Sequence, residues 1–458
     1  MAQDRLMNSK YMPYVVIFSA ALMVYGLIYL FSGDFGITAS NVFNSYSIQA
    51  ASWLGGRLDI GFYIPWLETA LFEGRHYISF PPLPSVVMLP FVFFLGTDTP
   101  DHAIALAIAL LSLAYAYKLG ERLLGNKQHA ILLALFLVLG TNYLHISLWG
   151  AVWYLTQNMA FLFTLMAFYY ALTDNKHHTL LSLLALCTAM GCRPFNAIYL
   201  PVILYLLYKR EDKPFVSSAK RILLFAIPAF ILGAFFMWLN YSRFGSIFEF
   251  GHTYLPEFMR DYHGQFYAGR MLDNLRSMFF NFNISEFPQF GSFAFWVASP
   301  IVISYVIYLL AYSRLTSKSP TDLGSALRIS ASSSLPGESL PASSSLNCVK
   351  QPPKSVDCFK VNRLYMRKGA PRERILILTL PVLVFMHLAA FSFHRTLGGH
   401  QFGARYTVDA LPAIYLGLLL ILQKMPPKDT IYLNLAPMLF GLLLNFYGTI
   451  EFLRFYFT

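Results

Sequence analysis

The composition of this 458-residue chain is that of a membrane protein. It is 56% hydrophobic and only 12% charged, against roughly 45–50% and about 25% in soluble domains. The net charge of +11 is explained by basic loops on one side of a membrane, so nucleic acid is not predicted as a partner.

Apolar segments follow one another along the chain, and about eleven of them are predicted to cross the membrane as helices, since in lipid a backbone must satisfy its own hydrogen bonds. The first follows Arg5 and Lys10 and has no small-residue cleavage site after it, so it is expected to stay in place with the N-terminus in the cytoplasm. The predicted fold class is an all-α polytopic protein of the inner (plasma) membrane. The segments lie near residues 12–32, 102–118, 129–147, 153–173, 179–191, 194–208, 221–240, 293–313, 375–396, 406–423 and 430–450.

The predicted membrane topology follows from the positions of the lysines. The apolar stretch from Pro81 to Gly96 is short and opens with Pro-Pro, and it is interpreted as a re-entrant or juxtamembrane element on the outer side. With that choice every lysine falls on the cytoplasmic side, which is the expected bias. The basic residues left outside are all arginines, a side chain that binds phosphate through two parallel hydrogen bonds. They are residues 57, 75, 193, 243, 260, 270, 276, 395, 405 and 454.

Three regions outside the predicted spans divide the chain. The outer loop 33–101 is too long for a simple connector, and apolar spacing predicts interfacial helices over Val42 to Leu54 and Trp66 to Phe72. A second outer loop, 241–292, is rich in aromatic residues, glycine and arginine. The basic, Ser/Pro-rich stretch 314–374 is predicted to be a disordered cytoplasmic loop. It separates the core 1–313 from the last three helices in 375–458.

The first loop offers the candidate general base. Such a base needs a carboxylate held on a positioned element, and Glu68 lies in WLETALFEGRHYISFPPLP, ahead of a Pro-Pro turn. Asp34, just above the first span, is the reserve candidate. The alternative interpretation of Glu68 is a solvated acid on the wet face of an amphipathic helix.

Arginines at membrane depth are the candidate binding residues. Arg193 in GCRPFNAIYLP would cost roughly 2.5–3.5 kcal/mol to insert, so a functional role is the default hypothesis, with an anchoring arginine as the alternative. Arg405 lies in GGHQFGARYTVDALP, where Asp409 is expected to pair with it at i,i+4. The remaining predicted substrate-binding residues are Arg75, His76, Tyr77, Arg243, His252, His400 and Tyr406.

Other chemistry lacks a sequence signature. The histidines of the outer loops have no metal-binding spacing, so no metal ligand is predicted and a divalent cation is left open without support. The chain has no Walker loop, no dinucleotide fingerprint in a βαβ context and no GxSxG elbow. No cofactor is therefore predicted.

The order of these features resembles the polytopic C-type glycosyltransferases, the superfamily that includes the protein O-mannosyltransferases and the membrane glycosyltransferases of family 39. The matching pieces are NVFNSYSIQAASWLGGRLDI, EGRHYISFPPLPSVVMLPFVFFLG, GCRPFNAIYLP, NYSRFGSIFEFGHTY and FGARYTVDALPAIYLGLLL. They cover most of the chain except the serine-rich stretch.

The resemblance implies transfer of a sugar from a polyprenyl-phosphate donor to a lipid, glycan or protein acceptor on the extracytoplasmic side, with an acid of the first loop as base. Where relatives carry acids, this chain has Asn41, Asn44, Gln157 and Asn158. Either Glu68 has taken over as base or the activity has been lost. The other alternative is a lipid or solute transporter or flippase.

Overall fold

The computed structural model describes residues 10–33, 36–174, 177–211, 214–282, 294–317, 371–398, 401–425 and 427–457. Helices make up most of this part of the chain, as predicted. In order they are α1 (Met12–Phe31), α2 (Ser45–Leu54), α3 (Leu83–Leu95), α4 (Asp101–Leu124), α5 (Lys127–Leu139), α6 (Tyr143–Leu148), α7 (Val152–Leu172), α8 (His178–Cys192), α9 (Leu200–Glu211), α10 (Phe215–Phe244), α11 (Pro256–Met259), α12 (Met271–Phe280), α13 (Phe295–Ala298), α14 (Ile301–Ser317), α15 (Pro371–Ser392), α16 (Leu411–Leu422) and α17 (Pro427–Phe457).

The long apolar helices confirm a multi-pass membrane protein. Within the described ranges, 7 helices are long and apolar enough to cross a bilayer; they are α1, α4, α7, α10, α15, α17 and the segment Arg405–Leu422 that contains α16. Shorter apolar helices include α5, α8 and α14. The total of about eleven crossings stays a prediction.

Burial separates central helices from peripheral ones. The segment Arg405–Leu422 is 100% buried, whereas only 17% of α10 is buried. On α10, Leu223, Phe230 and Ile231 are exposed, which suits a helix whose solvent is lipid. In lipid, helices associate through close packing and interhelical hydrogen bonds rather than through the hydrophobic effect. Here the Tyr143 hydroxyl of α6 bonds both Ser112 of α4, at 2.9 Å, and Asn158 of α7.

Two glycines allow a close approach between α17 and the end of α5. A Cβ added to Gly441 of α17 would collide with the carbonyl oxygen of Gly140, at the end of α5. Small residues of this kind let backbones pack together in lipid. Gly140 also divides the predicted span 129–147 into α5 and α6.

The outer loop differs from its prediction in one element. The helix predicted over Val42 to Leu54 is confirmed by α2, but the helix predicted over Trp66 to Phe72 is wrong. The chain there forms a two-stranded hairpin of β1 (Thr69–Phe72) and β2 (Arg75–Ile78), with Thr69 opposite Ile78 and Phe72 opposite Arg75. Its two-residue turn has φ of 48° at Glu73 and 74° at Gly74, the positive pair that a tight hairpin needs.

After the hairpin, α3 occupies the stretch predicted not to cross. It has 13 residues, about 20 Å at 1.5 Å per residue, which is short of a hydrocarbon core of roughly 30 Å. It packs against α2. The Ser/Pro-rich loop predicted over 314–374 lies mostly outside the described residues.

Candidate functional site

The carboxyl group of Glu68 is held where the first loop meets the bundle. Glu68 directly precedes β1, and its backbone carbonyl accepts a hydrogen bond from the Ser79 hydroxyl at 2.9 Å. The Trp153 indole, in the first turn of α7, donates to Glu68 Oε1 at 3.0 Å. These two contacts fix the backbone and the side chain independently, so the carboxyl group has a defined position.

The surroundings of Glu68 suit proton transfer at neutral pH. The residue is half-buried, and this burial, reinforced by the negative charge of Glu257, raises the pKa of Glu68 to about 7; the charge of Arg405 and the Trp153 hydrogen bond oppose the rise. A general base works best with a pKa near the operating pH. The alternative of a solvated acid on an amphipathic helix does not describe this position.

Arg405 presents a guanidinium group with spare donors. The residue is buried, with 7% of its surface exposed, and no ion pair to a carboxylate is found for it among the described residues. Its Nη2 lies 3.4 Å from the Tyr406 hydroxyl, and its Nε has no hydrogen-bond partner within the described chain. The rings of Tyr406 and Tyr154 lie 4.9 Å and 5.8 Å from the guanidinium carbon.

Arg193 has a different environment, because its charge is already paired. Its Nε and Nη2 donate to Asp409 Oδ2 at 3.1 Å and 2.7 Å. The expectation that Asp409 pairs with Arg405 is therefore wrong: the carboxylate of Asp409 binds an arginine that is 216 positions away in sequence. The rings of Phe391 and Tyr406 flank the guanidinium at 5.0 Å and 5.2 Å.

Both arginines stand at the start of the same local structure. Arg193 caps the 3-10 helix Pro194–Tyr199, and Arg405 begins the 3-10 helix Arg405–Ala410. Each turn runs into a Leu-Pro pair that starts an α-helix, α9 or α16, where proline is tolerated because first-turn N–H groups have no helical partner. A further bond joins Gln157 Nε2 to the Arg405 carbonyl oxygen at 2.7 Å. The backbone under Arg405 is thereby fastened to α7.

Two histidines complete the wall of the site. Burial lowers the pKa of His252 to about 3, and the positive charges of His394, Arg193 and Arg405 lower it further. Burial likewise lowers the pKa of His394 to about 4, against a hydrogen bond to the Thr396 carbonyl. Both imidazoles are therefore neutral at pH 7, and the positive charge of the site belongs to the arginines.

Four further predicted binding residues make contacts of their own with neighbouring residues. Arg75 is exposed on β2, 4.0 Å from Asp59, and the His76 ring lies 5.4 Å from that of Tyr63. Tyr77 is buried against Phe244, with ring centroids 5.3 Å apart.

Arg243 is the fourth of these residues, and its hydrogen bonds connect two elements of the structure. It is buried, with its Nη1 donating to the Ile78 carbonyl at 3.3 Å and its Nη2 to Asn240 Oδ1 at 2.8 Å. These bonds tie β2 to the end of α10. The two remaining predictions, Asp34 and His400, fall outside the described residues.

Sequence reasoning missed Trp153, Glu257 and His394 as parts of the site. Trp153 directly follows the start of α7, and tryptophan at a helix end in a membrane protein is usually interpreted as an interfacial anchor. Glu257 lies in the second outer loop on the short helix α11, with no motif around it. The described residues contain no group of three or more His, Cys, Asp or Glu that could hold a metal ion.

Comparisons with known proteins find similarity at the level of structure. No protein-family model matches the chain, and no curated protein matches it. The chain is similar to ArnT from Cupriavidus metallidurans in the apo state, with a TM-score of 0.47 and 13% identity over 91% of this chain and 60% of that one. It is also similar to the same protein bound to undecaprenyl phosphate, with a TM-score of 0.37 and 13% identity over 91% of this chain and 77% of that one.

The chain spans about 60% of the length of the apo ArnT structure. At 13% identity the likeness assigns neither an activity nor a residue role to this chain.

Proposed function

We propose that this protein is a membrane glycosyltransferase that moves a sugar from a polyprenyl-phosphate donor to an acceptor hydroxyl at the end of the bundle that holds Glu68. The observation that carries the proposal is a half-buried carboxyl group, Glu68, that lies within electrostatic reach of Arg405, a buried guanidinium with unused donors. A carboxylate can accept the acceptor's proton, and a guanidinium can stabilise the leaving phosphate.

The reaction is a direct displacement at the anomeric carbon. The acceptor oxygen forms a bond to that carbon while the bond from carbon to the phosphate oxygen breaks. The hydroxyl proton passes to the Glu68 carboxylate, and the bonding electrons leave with the polyprenyl phosphate. Arg405 is the proposed phosphate-binding residue, because its Nε has no hydrogen-bond partner among the described residues.

Arg193 supports this phosphate site less directly. The ion pair with Asp409 neutralises much of its charge. Its guanidinium packs against Tyr406 and forms one wall of the site. The neutral imidazoles of His252 and His394 are proposed to line the sugar-binding part, where hydrogen bonding to hydroxyl groups needs no charge. Inner-membrane placement with a cytoplasmic N-terminus is part of the same proposal.

The test is binding of undecaprenyl phosphate to the purified full chain in nanodiscs, which requires no knowledge of the sugar or the acceptor. Arg405→Gln should weaken binding roughly 10- to 100-fold, the value of one to two charge-assisted hydrogen bonds. Arg454→Gln is the matched control, an outer arginine that bonds Glu451 and the Phe31 carbonyl. Equal binding by both variants would rule out Arg405 as the phosphate ligand.

Transfer itself is tested with a panel of undecaprenyl-phosphate-linked sugars in proteoliposomes, by measuring release of undecaprenyl phosphate. Release from at least one donor by the wild-type protein is expected. Tight undecaprenyl phosphate binding without release from any donor would favour a noncatalytic relative or a lipid transporter.

A further inference from the structure

A cavity lies at the opposite end of the bundle from Glu68. Its volume is about 260 Å³. The helices around it show where it lies. The 3-10 turns that hold Arg193 and Asp409 lead into α9 and α16, and the cavity lies at the far ends of these helices, where Lys209 of α9 and Lys424, two residues past α16, line it. Twelve residues of α-helix, the length of each, separate the ends by about 18 Å.

The walls of this cavity are apolar and its rim is basic. Leu123 and Leu172, in the last turns of α4 and α7, and Leu206 of α9 form one part of the wall, and Leu376 of α15 forms another. Lys209, Arg210 and Lys424 line the same space. An apolar wall with three cationic side chains at its rim is the arrangement expected for a site that binds an amphiphile with an anionic head.

An ion-pair cluster lies beside the rim. The Asp174 carboxylate bonds both Arg122 and Arg210, so these two arginines share one acid. Asp174 is exposed, so this triad lies at the mouth of the cavity rather than inside it. The guanidinium of Arg210 is thus held in place beside Lys209 and Lys424.

We infer that this cavity binds the phosphate head of an anionic glycerophospholipid, with part of an acyl chain against the leucine wall. Basic pockets between helices on the lysine-rich side of a membrane protein favour anionic lipid heads. The volume is below the roughly 300 Å³ of a typical ligand pocket, so it suits a head group and the start of one chain rather than a whole lipid. The site is independent of the sugar-transfer chemistry proposed above.

The experiment measures binding of phosphatidylglycerol, phosphatidylcholine and inorganic phosphate to the full chain in detergent, by native mass spectrometry and by thermal unfolding. Phosphatidylglycerol should be retained in preference to phosphatidylcholine. The double variant Lys209→Gln/Lys424→Gln should lose roughly 30-fold in phosphatidylglycerol affinity, from about one kilocalorie per lysine. Lys127→Gln, at the start of α5 on the same side but outside the cavity, should bind as the wild type does.

Gln423→Glu gives a second variant that keeps both lysines. Gln423 is an exposed residue of the same lining, so an added negative charge should reduce phosphatidylglycerol binding without disturbing the fold. Equal retention of the two lipids would overturn the inference, as would a double variant that binds as Lys127→Gln does. Stabilisation by inorganic phosphate without a preference for phosphatidylglycerol would also overturn it, because it would show an anion site with no role for lipid.

Discussion

The sharpest prediction concerns the protonation state of Glu68. Burial and the charge of Glu257 raise the pKa of Glu68 to about 7, so roughly a tenth of the protein carries the carboxylate at pH 6 and roughly nine tenths at pH 8. If Glu68 is the base, kcat/KM should rise about tenfold between these values. In a plot of kcat/KM against pH, the rising part should have its midpoint near pH 7.

Substitution of Glu68 should lower kcat/KM and also remove its dependence on pH between pH 6 and 8. Glu68→Gln should lower kcat/KM roughly 100- to 10,000-fold, the usual contribution of a general base. The glutamine oxygen can still accept the Trp153 indole hydrogen bond, so the local geometry should persist. The matched control is Glu73→Gln, an exposed acid in the hairpin turn, which should keep the wild-type profile.

Thermal unfolding separates loss of the base from loss of the fold. Because the pKa of Glu68 is raised in the folded state, the carboxylate opposes folding as the pH rises above its unfolded value and through pH 7. Glu68→Gln should therefore leave the unfolding temperature in detergent unchanged at pH 5 and should not lower it at pH 8. A flat wild-type profile between pH 6 and 8, or a Glu68→Gln variant with the wild-type slope, would refute the assignment.

Three further predictions follow from particular contacts. Glu257→Gln removes a negative charge that raises the pKa of Glu68, so the rising part of the plot should move to lower pH; an unchanged midpoint would show that Glu257 has no such effect. Asp409→Asn should destabilise the protein by about 3–5 kcal/mol, because it breaks a buried ion pair, and in thermal unfolding Arg193→Gln added to it should recover part of the loss. Gly441→Ala should cost about 1–3 kcal/mol by overpacking, whereas an unaltered unfolding temperature would contradict the close approach of α17 to Gly140.

Much of the fold could be predicted because a membrane restricts the choices. Long apolar stretches have to be helices, and the predicted span 153–173 differs from α7 by one residue at each end. The hairpin could not be predicted in the same way, since its few apolar residues fit a helical spacing as well as a strand. The two-residue Glu73-Gly74 turn was the available signal.

The site could be predicted in part. Glu68, Arg193, Arg405, Tyr406 and His252 were chosen by residue type and position. In the structure Tyr406 lies against both guanidinium groups, and the charge of Arg405 acts on Glu68 and on His252; the roles of these residues stay predictions. Residue type and position could not predict which acid pairs with which arginine. Sequence spacing favours Asp409 with Arg405, but the 3-10 turn at that point changes the spacing of side chains around the axis, and Asp409 bonds Arg193 from a distant segment.

The pair of 3-10 turns also limits how the chain length can vary. Arg193 precedes a six-residue turn and Arg405 is the first residue of another, and each residue of such a turn advances the chain by about 120° around its axis. Inserting or deleting one residue in either turn would rotate the arginine by about that angle relative to the following helix, away from its present contacts. Length changes should therefore be tolerated in the Ser/Pro-rich stretch and excluded from these two short segments.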